Sequence, residues 1–313
     1  MVHSHLAATA HCRQCSAVAA VDASNPLLRH REMPAFRAIT PDHVEPAVTA
    51  LLAQQETDIE ALETSVAALG DAVTYDDVFR PLEELLHPLS YAFGLVGHLM
   101  AVANSEELRA AHASVLPAVV ASGSRIAQSE PLFRAMKAVA DSDEALDSGQ
   151  ERAVEAALRD AELGGVALEG AAKERFNEIK QRLAELSTTF SNNVLDATSA
   201  WSLTITDPAE LDGLPPSALA LAAQSAGEGA TAEAGPYKLT LDMPMLMPVM
   251  TFANSRSLRE TVYKANLTKA SELSGDGEHN NMPLIEEILQ LRAEMAGLLG
   301  YGAKNATLCA VYI

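Results

Sequence analysis

Phe176, Ile179, Leu183, Leu186, Phe190, Asn193 and Ala197 recur at alternating spacings of three and four residues. That rhythm lines them along one face of an α-helix and excludes a strand, whose side chains alternate with period two. A stripe this long belongs to a helix packed lengthwise on its neighbours. The spacing predicts a helix over residues 169–201, with Glu178 placed to pair with Arg182 four residues on. A chain built around such an element is mainly α.

The other segments agree. Thr40 has the side chain of an N-cap, with Pro41 at the first helical position and Asp42 in the first turn. Val44, Ala47, Val48, Leu51 and Leu52 then share one helix face, and Pro46 is expected to bend or restart that helix. Thr74, followed by Asp76 and Asp77, opens a second helix that leads into an uncharged window, residues 85–105. A third runs from Ser105 through Leu108, Val115, Leu116 and Val119. Ser129-Glu130-Pro131 opens a fourth, which ends in an acidic loop at residues 141–147. A fifth, from Gln150 to Leu163, stops at Gly164-Gly165. The period changes to two at Ser202-Leu203-Thr204-Ile205-Thr206 and again at Tyr237-Lys238-Leu239-Thr240-Leu241-Asp242, which predicts two half-buried strands in one small β element. Asn254 opens a further helix through Leu258, Val262 and Ala265. The last helix, residues 283–299, sets Ile285, Ile288, Leu289, Met295 and Leu298 on one face. Little sequence follows to cover that face, so self-association is expected.

Of the 313 residues 48% are apolar and 20% charged, which excludes disorder along the whole chain. Acidic residues number 42 and basic ones 22, a net charge of −20. Such a surface repels phosphate backbones and anionic lipid, so neither nucleic acid nor a membrane is expected as a partner. The window at 85–105 is nominally long enough to cross a bilayer. His87, Pro88, Ser90, His98 and Asn104 within it favour a buried core helix, because polar groups are costly in hydrocarbon. Three cysteines cannot make a disulfide framework and point to a reducing, cytoplasmic compartment. Residues 1–24 hold Arg13 and Asp22 as their only charges, with an apolar stretch too short for a signal peptide. They read as an unstructured extension or a weak targeting segment, which keeps a mitochondrial or plastid location as the alternative.

No chemistry-bearing motif accompanies this architecture. A metallopeptidase helix reads HExxH, two zinc-binding His one turn apart with a Glu to activate water. The nine His stand at 3, 5, 11, 30, 43, 87, 98, 112 and 279; none begins that motif and no two lie four apart. Cys12 and Cys15 form a CxxC behind His11, but a zinc site needs a second pair of ligands and only Cys309 remains. His98, on an apolar stretch, reads as a satisfied core residue, and His43 with Glu45 as solvated surface. Glu83-Glu84, Glu106-Glu107 and Glu286-Glu287 are pairs in sequence alone, since helix neighbours point ~100° apart. Gly70-Asp71 and Gly275-Asp276-Gly277 are turn signals without ligand spacing. No GxSxG, GxGxxG or GxxxxGK occurs. The residues assign no catalytic, cofactor-binding or metal-binding position.

Several runs nevertheless form a recognisable series. They are Asn25-Pro26-Leu27-Leu28, Phe36-Arg37-Ala38-Ile39-Thr40-Pro41-Asp42-His43-Val44-Glu45-Pro46-Ala47-Val48, Pro81-Leu82-Glu83, Arg175-Phe176-Asn177-Glu178-Ile179, Leu183-Ala184-Glu185-Leu186-Ser187 and Phe190-Ser191-Asn192-Asn193-Val194-Leu195-Asp196-Ala197-Thr198. Leu239-Thr240-Leu241-Asp242-Met243-Pro244, Pro248-Val249-Met250-Thr251-Phe252-Ala253 and Glu286-Glu287-Ile288-Leu289-Gln290-Leu291-Arg292 continue it. In this order they resemble the opening of oligopeptidase A-like members of the thimet-oligopeptidase/neurolysin family of zinc metallopeptidases, over residues 25–300. The resemblance implies a neurolysin-like helical half with one small β-hairpin element. Residues 25–200 would form an N-terminal helical domain. Residues 201–300 would supply the β element and the first helices of a peptidase-type catalytic half, and 301–313 a divergent tail. In that family two halves enclose a deep channel in which a zinc, held by HExxH and a distant Glu, cuts short peptides. This sequence is expected to be truncated before the HExxH region, to hold no cofactor, and to leave zinc to full-length members. The expected function is the channel-forming N-terminal portion of a metalloendopeptidase that degrades short peptides, inactive by itself. The alternative is a non-enzymatic helical interaction protein derived from such a peptidase.

Overall fold

A computed structural model describes residues 24–274, 277 and 279–302. His11, Cys12, Cys15, Asp276 and Cys309 lie outside them. Ten α-helices and one two-stranded sheet make up the described residues, so the chain is mainly α. They divide into two units, one reaching Gln181 and one beginning at Arg182.

The first unit is helical throughout. Its helices are α1 (Val44–Leu69), α2 (Tyr75–Val102), α3 (Glu106–Ala127), α4 (Glu130–Asp141), α5 (Ser148–Leu163) and the start of α6 (Gly170–Ala200). Side chains cap these helices, Ser105 where the sequence placed it and Asp147 three residues before the expected start at Gln150. Ser105 Oγ accepts from the Leu108 amide at 3.2 Å, and Asp147 Oδ1 from the Gln150 amide at 2.9 Å, each satisfying a backbone donor that the first turn leaves open. Val44, Ala47 and Val48 of α1 are buried with Leu89, Ala92, Leu95 and Val96 of α2. Ile59, Leu62 and Val66, further along α1, share a second cluster with Val78 at the start of α2 and with Leu132, Met136 and Val139 of α4. The two long helices therefore run antiparallel, with one cluster near each end.

Three expectations need correction here. The start at Thr40 and Pro41 is a 3-10 turn, Pro41–His43, and the α-helix takes over at Val44, so Pro46 is the third residue of α1, where the amide it lacks would have had no helical acceptor. The uncharged window is a core helix on one side only. Leu89, Ala92, Leu95 and Val96 are buried, while Ser90, Gly94, Gly97, His98 and Ala101 face solvent. By length and composition α2 could cross a membrane. Glu178 pairs with Arg175 at 3.1 Å rather than with Arg182, because Arg182 reaches Glu185 and Glu287.

The second unit holds the sheet. Strands β1 (Ser202–Ile205) and β2 (Tyr237–Thr240) pair antiparallel, with Leu203 opposite Leu239 and Ile205 opposite Tyr237. Tyr237, Leu239 and Leu241 alternate inward, as period two requires, onto Leu211, Leu214, Met245, Val249 and Val262. Around them stand α7 (Pro216–Ala226), α8 (Met243–Phe252) and α9 (Arg256–Thr268), followed by α10 (Met282–Leu298). The sequence pattern had no place for α8. Asp242 caps it, accepting from the Met245 amide at 3.3 Å, but its apolar residues run continuously and show no period.

The founding stripe is less uniform than its spacing. Phe176, Ile179, Leu186 and Ala197 are buried, whereas Leu183, Phe190 and Asn193 are half-buried. Asn193 has a specific reason to be there: its amide donates to Asn281 Oδ1 at 2.8 Å, and buried Asn281 in turn donates to the Phe190 carbonyl at 3.2 Å. On α10 the buried residues are Leu291, Met295 and Ala296, while Leu289 faces solvent. Its apolar residues thus divide between two faces.

Candidate functional site

A cavity of about 520 Å3 lies in the first unit. Ser124 and Arg125 of α3, with Gln128 just past its end, line one wall, Lys173, Asn177 and Gln181 of α6 the other, with Glu63 of α1 and Ser129 completing it. Residues four apart on a helix share a face, which is how α6 presents its three polar side chains together. Arg125 donates to both carboxylate oxygens of Glu63, at 2.7 and 2.8 Å, and to Glu56 at 3.2 Å. The Ser129 hydroxyl also donates to Glu63 while capping α4. Gln128 Nε2 donates to the Gly164 carbonyl at 3.0 Å and to Asn177 Oδ1 at 2.8 Å.

This arrangement carries no proton chemistry. The Arg125 hydrogen bonds and the Ser129 hydroxyl hold the Glu63 carboxyl below its ordinary range despite its burial, and Glu63 pushes the Arg125 guanidinium further up. Both groups stay ionised, so Glu63 is too weak a base to activate Ser129. The network joins α1, α3, α4 and α6.

A second cavity, about 480 Å3, is bordered by His30, Arg31, Arg80, Glu83, Glu84 and His87. Glu83 and Glu84 both reach it, although a helix turns adjacent side chains apart. His87 Nε2 lies 3.3 Å from the His30 carbonyl, and the two rings stand 5.8 Å apart, edge to face. Among the described residues no group of three or more His, Cys, Asp or Glu is placed to hold a metal ion. Zinc, which the resemblance implies for full-length relatives, does not fit the residues described here.

The remaining sequence candidates separate. His98 is exposed against Phe36, ring centroids 5.2 Å apart, and is not a core residue. His43 works locally: its Nδ1 accepts from the Thr40 amide at 3.0 Å, while Glu45 faces solvent. His112, which the sequence left unremarked, is the buried imidazole. It stacks on Phe93 at 5.0 Å, its Nδ1 has no hydrogen-bond partner, and burial lowers its pKa. Glu107 is stabilised as a carboxylate by its own helix-terminal amide and by Ser105, and Glu287 by Arg182. Their sequence neighbours Glu106 and Glu286 are exposed. Neither acidic pair forms a site.

Residues 48–173 match the family model described as Neurolysin/Thimet oligopeptidase, N-terminal domain. The probable cytosolic oligopeptidase A of Arabidopsis thaliana is 44% identical over 284 residues, 89% of this chain and 39% of its own length. The organellar (chloroplastic/mitochondrial) oligopeptidase A of the same plant is 44% identical over 284 residues, covering 89% and 35%. Oligopeptidase A of Escherichia coli is 42% identical over 281 residues, covering 89% and 40%. The chain spans about two fifths of the length of these relatives.

Proposed function

We propose that this chain, whose residues 48–173 match the Neurolysin/Thimet oligopeptidase N-terminal domain model, is the N-terminal, channel-forming portion of an oligopeptidase A-type metalloendopeptidase that degrades short peptides. The observation that carries the reading is the 44% identity maintained over 284 residues, far more than a shared helical fold requires. The described residues contribute framework. The Glu63–Arg125 contact is an ion pair that ties helices together, and no group of three or more metal-binding side chains stands among the described residues. Catalysis and zinc then belong to the part of the enzyme that the relatives carry beyond the aligned stretch. Relatives named as cytosolic and as organellar support a cytoplasmic, mitochondrial or plastid location alike.

The test is a peptidase assay of the purified chain on a quenched short peptide, with zinc added. The expected result is no cleavage above the protein-free rate, since metal-assisted hydrolysis needs about three protein ligands and a bound water. Chelator-sensitive cleavage by the chain alone would overturn the reading.

A further inference from the structure

Two groups in the cavity between α3 and α6 take no part in the ion-pair network. Ser124 is only 4% exposed and lines the cavity, yet its hydroxyl makes no hydrogen bond among the described residues. A hydroxyl buried without a partner is costly, so folded proteins supply one, from the chain or from outside it. Lys173, on the facing wall, is half-buried, and its ammonium has no acidic partner among the described residues. Acidic residues outnumber basic ones 42 to 22, so a shortage of carboxylates does not explain an unpaired lysine. The two carboxylates that line the same cavity are already engaged, Glu63 by Arg125 and Glu130 by Arg134.

Contacts between the walls give the cavity a direction. Gln181 Nε2 donates to the Pro117 carbonyl at 2.7 Å, and Gln128 Nε2 to Asn177 Oδ1 at 2.8 Å. Numbers rise along α3 as they fall along α6, so the two helices are antiparallel. Lys173 therefore stands at the end where α3 gives way to α4, and Gln181 at the other. The positive N-terminal end of α4, a helix of 12 residues, lines the Lys173 end through Ser129 and Pro131, and such an end favours an anion. From Lys173 to Gln181 the wall runs about 12 Å at ~1.5 Å per residue. Three residues of extended peptide span about 10 Å. We propose that this cavity binds the C-terminal end of a short peptide, its carboxylate between Lys173 and the α4 terminus and its backbone hydrogen-bonded to Ser124. The peptide as the class of ligand rests on the peptidase reading given above; the charge and the direction come from the cavity itself.

Calorimetric titration of the purified full chain tests this with three probes: tri-alanine, its C-terminal amide, and acetate. Tri-alanine should bind at a single site, and the amide about tenfold more weakly, because it lacks the charge that Lys173 meets. In Lys173→Gln the two peptides should bind alike, while Lys173→Arg should keep the preference for the free acid. Ser124→Ala should weaken both peptides equally, since it removes a contact to the backbone. Absence of saturable tri-alanine binding would leave the cavity to water and overturn the proposal. Equal affinity of the native chain for peptide and amide would also overturn it, as would a Lys173→Gln chain that still prefers the free acid. Acetate binding as tightly as tri-alanine would overturn it by giving the cavity to small free carboxylates. Cleavage of a quenched peptide by the full chain fused at its C-terminal end to the part of Escherichia coli oligopeptidase A that follows the aligned stretch is scored separately. Cleavage by that fusion without tri-alanine binding by the chain keeps the peptidase reading and removes this site; binding without cleavage does the reverse.

Discussion

Arg125 and Glu63 meet fork to fork, Nη1 to Oε1 at 2.7 Å and Nη2 to Oε2 at 2.8 Å, although 62 residues separate them in the chain. The contact ties α3 to α1 in the first unit. Arg182 and Glu287 make a similar fork in the second, at 2.6 and 3.0 Å. Geometry alone would rank the two equally, and burial separates them. The Glu63 side chain is 15% exposed, whereas Arg182 and Glu287 are 48% and 39% exposed.

Glu63→Gln should therefore destabilise the protein by about 1.5–3 kcal/mol, the range for hydrogen bonds to charged groups. Glu287→Gln should cost clearly less, because solvent screens an exposed pair. Urea unfolding of both variants checks the order. Equal losses would mean that burial does not govern these pairs.

The Glu63 pKa is lowered in the folded state, chiefly by the Arg125 hydrogen bond. Unfolding lets the carboxyl bind a proton more readily, so its contribution is full above the unfolded value of about 4.3 and fades as pH falls through the lower, folded value. In Glu63→Gln the loss of stability below pH ~4.3 should be shallower than in the native protein. Parallel acid limbs would remove Glu63 from the account.

Burial lowers the His112 pKa, so the unfolded chain binds the proton more tightly there as well. Stability should fall as pH drops below about 6.5, and the decline should level off once the folded protein is itself protonated. His112→Leu keeps an apolar side chain against Phe93 and should flatten the profile in that window. A variant with the native slope would contradict the assignment.

Gly213 has φ +92°, and a Cβ added there would collide with the Phe252 carbonyl oxygen. Gly213→Ala should lower stability by at least about 2 kcal/mol, through strain and displacement together. Gly97, on the exposed side of α2, has nothing within 4 Å of an added Cβ. Gly97→Ala should stabilise by up to about 1 kcal/mol, since alanine is the better helix former. Thermal melts of the two should move in opposite directions.

What could be read in advance was local and periodic. Thr74 and Asp77 opened α2, with the Thr74 amide donating to Asp77 Oδ2 at 2.9 Å, and the alternation of Tyr237, Leu239 and Leu241 gave β2. Helix α8 escaped because a continuous apolar run with Pro244 and Pro248 carries no period; only Asp242 marked its start. The Glu63–Arg125–Ser129 network was invisible because each member looks like ordinary helix surface until the fold closes a separation of more than 60 residues. Asn193 counted as one more position of the periodic stripe, and its hydrogen-bond partner, Asn281, stands 88 residues away.

The most direct measurement of the central claim is cleavage of a quenched short peptide by the full chain fused to the following part of Escherichia coli oligopeptidase A. With 42% identity over the aligned 281 residues, the chain should serve as that enzyme's N-terminal framework. The fusion should cleave in a chelator-sensitive manner, while neither component alone does. A fusion that unfolds cooperatively yet leaves the peptide intact would contradict the claim.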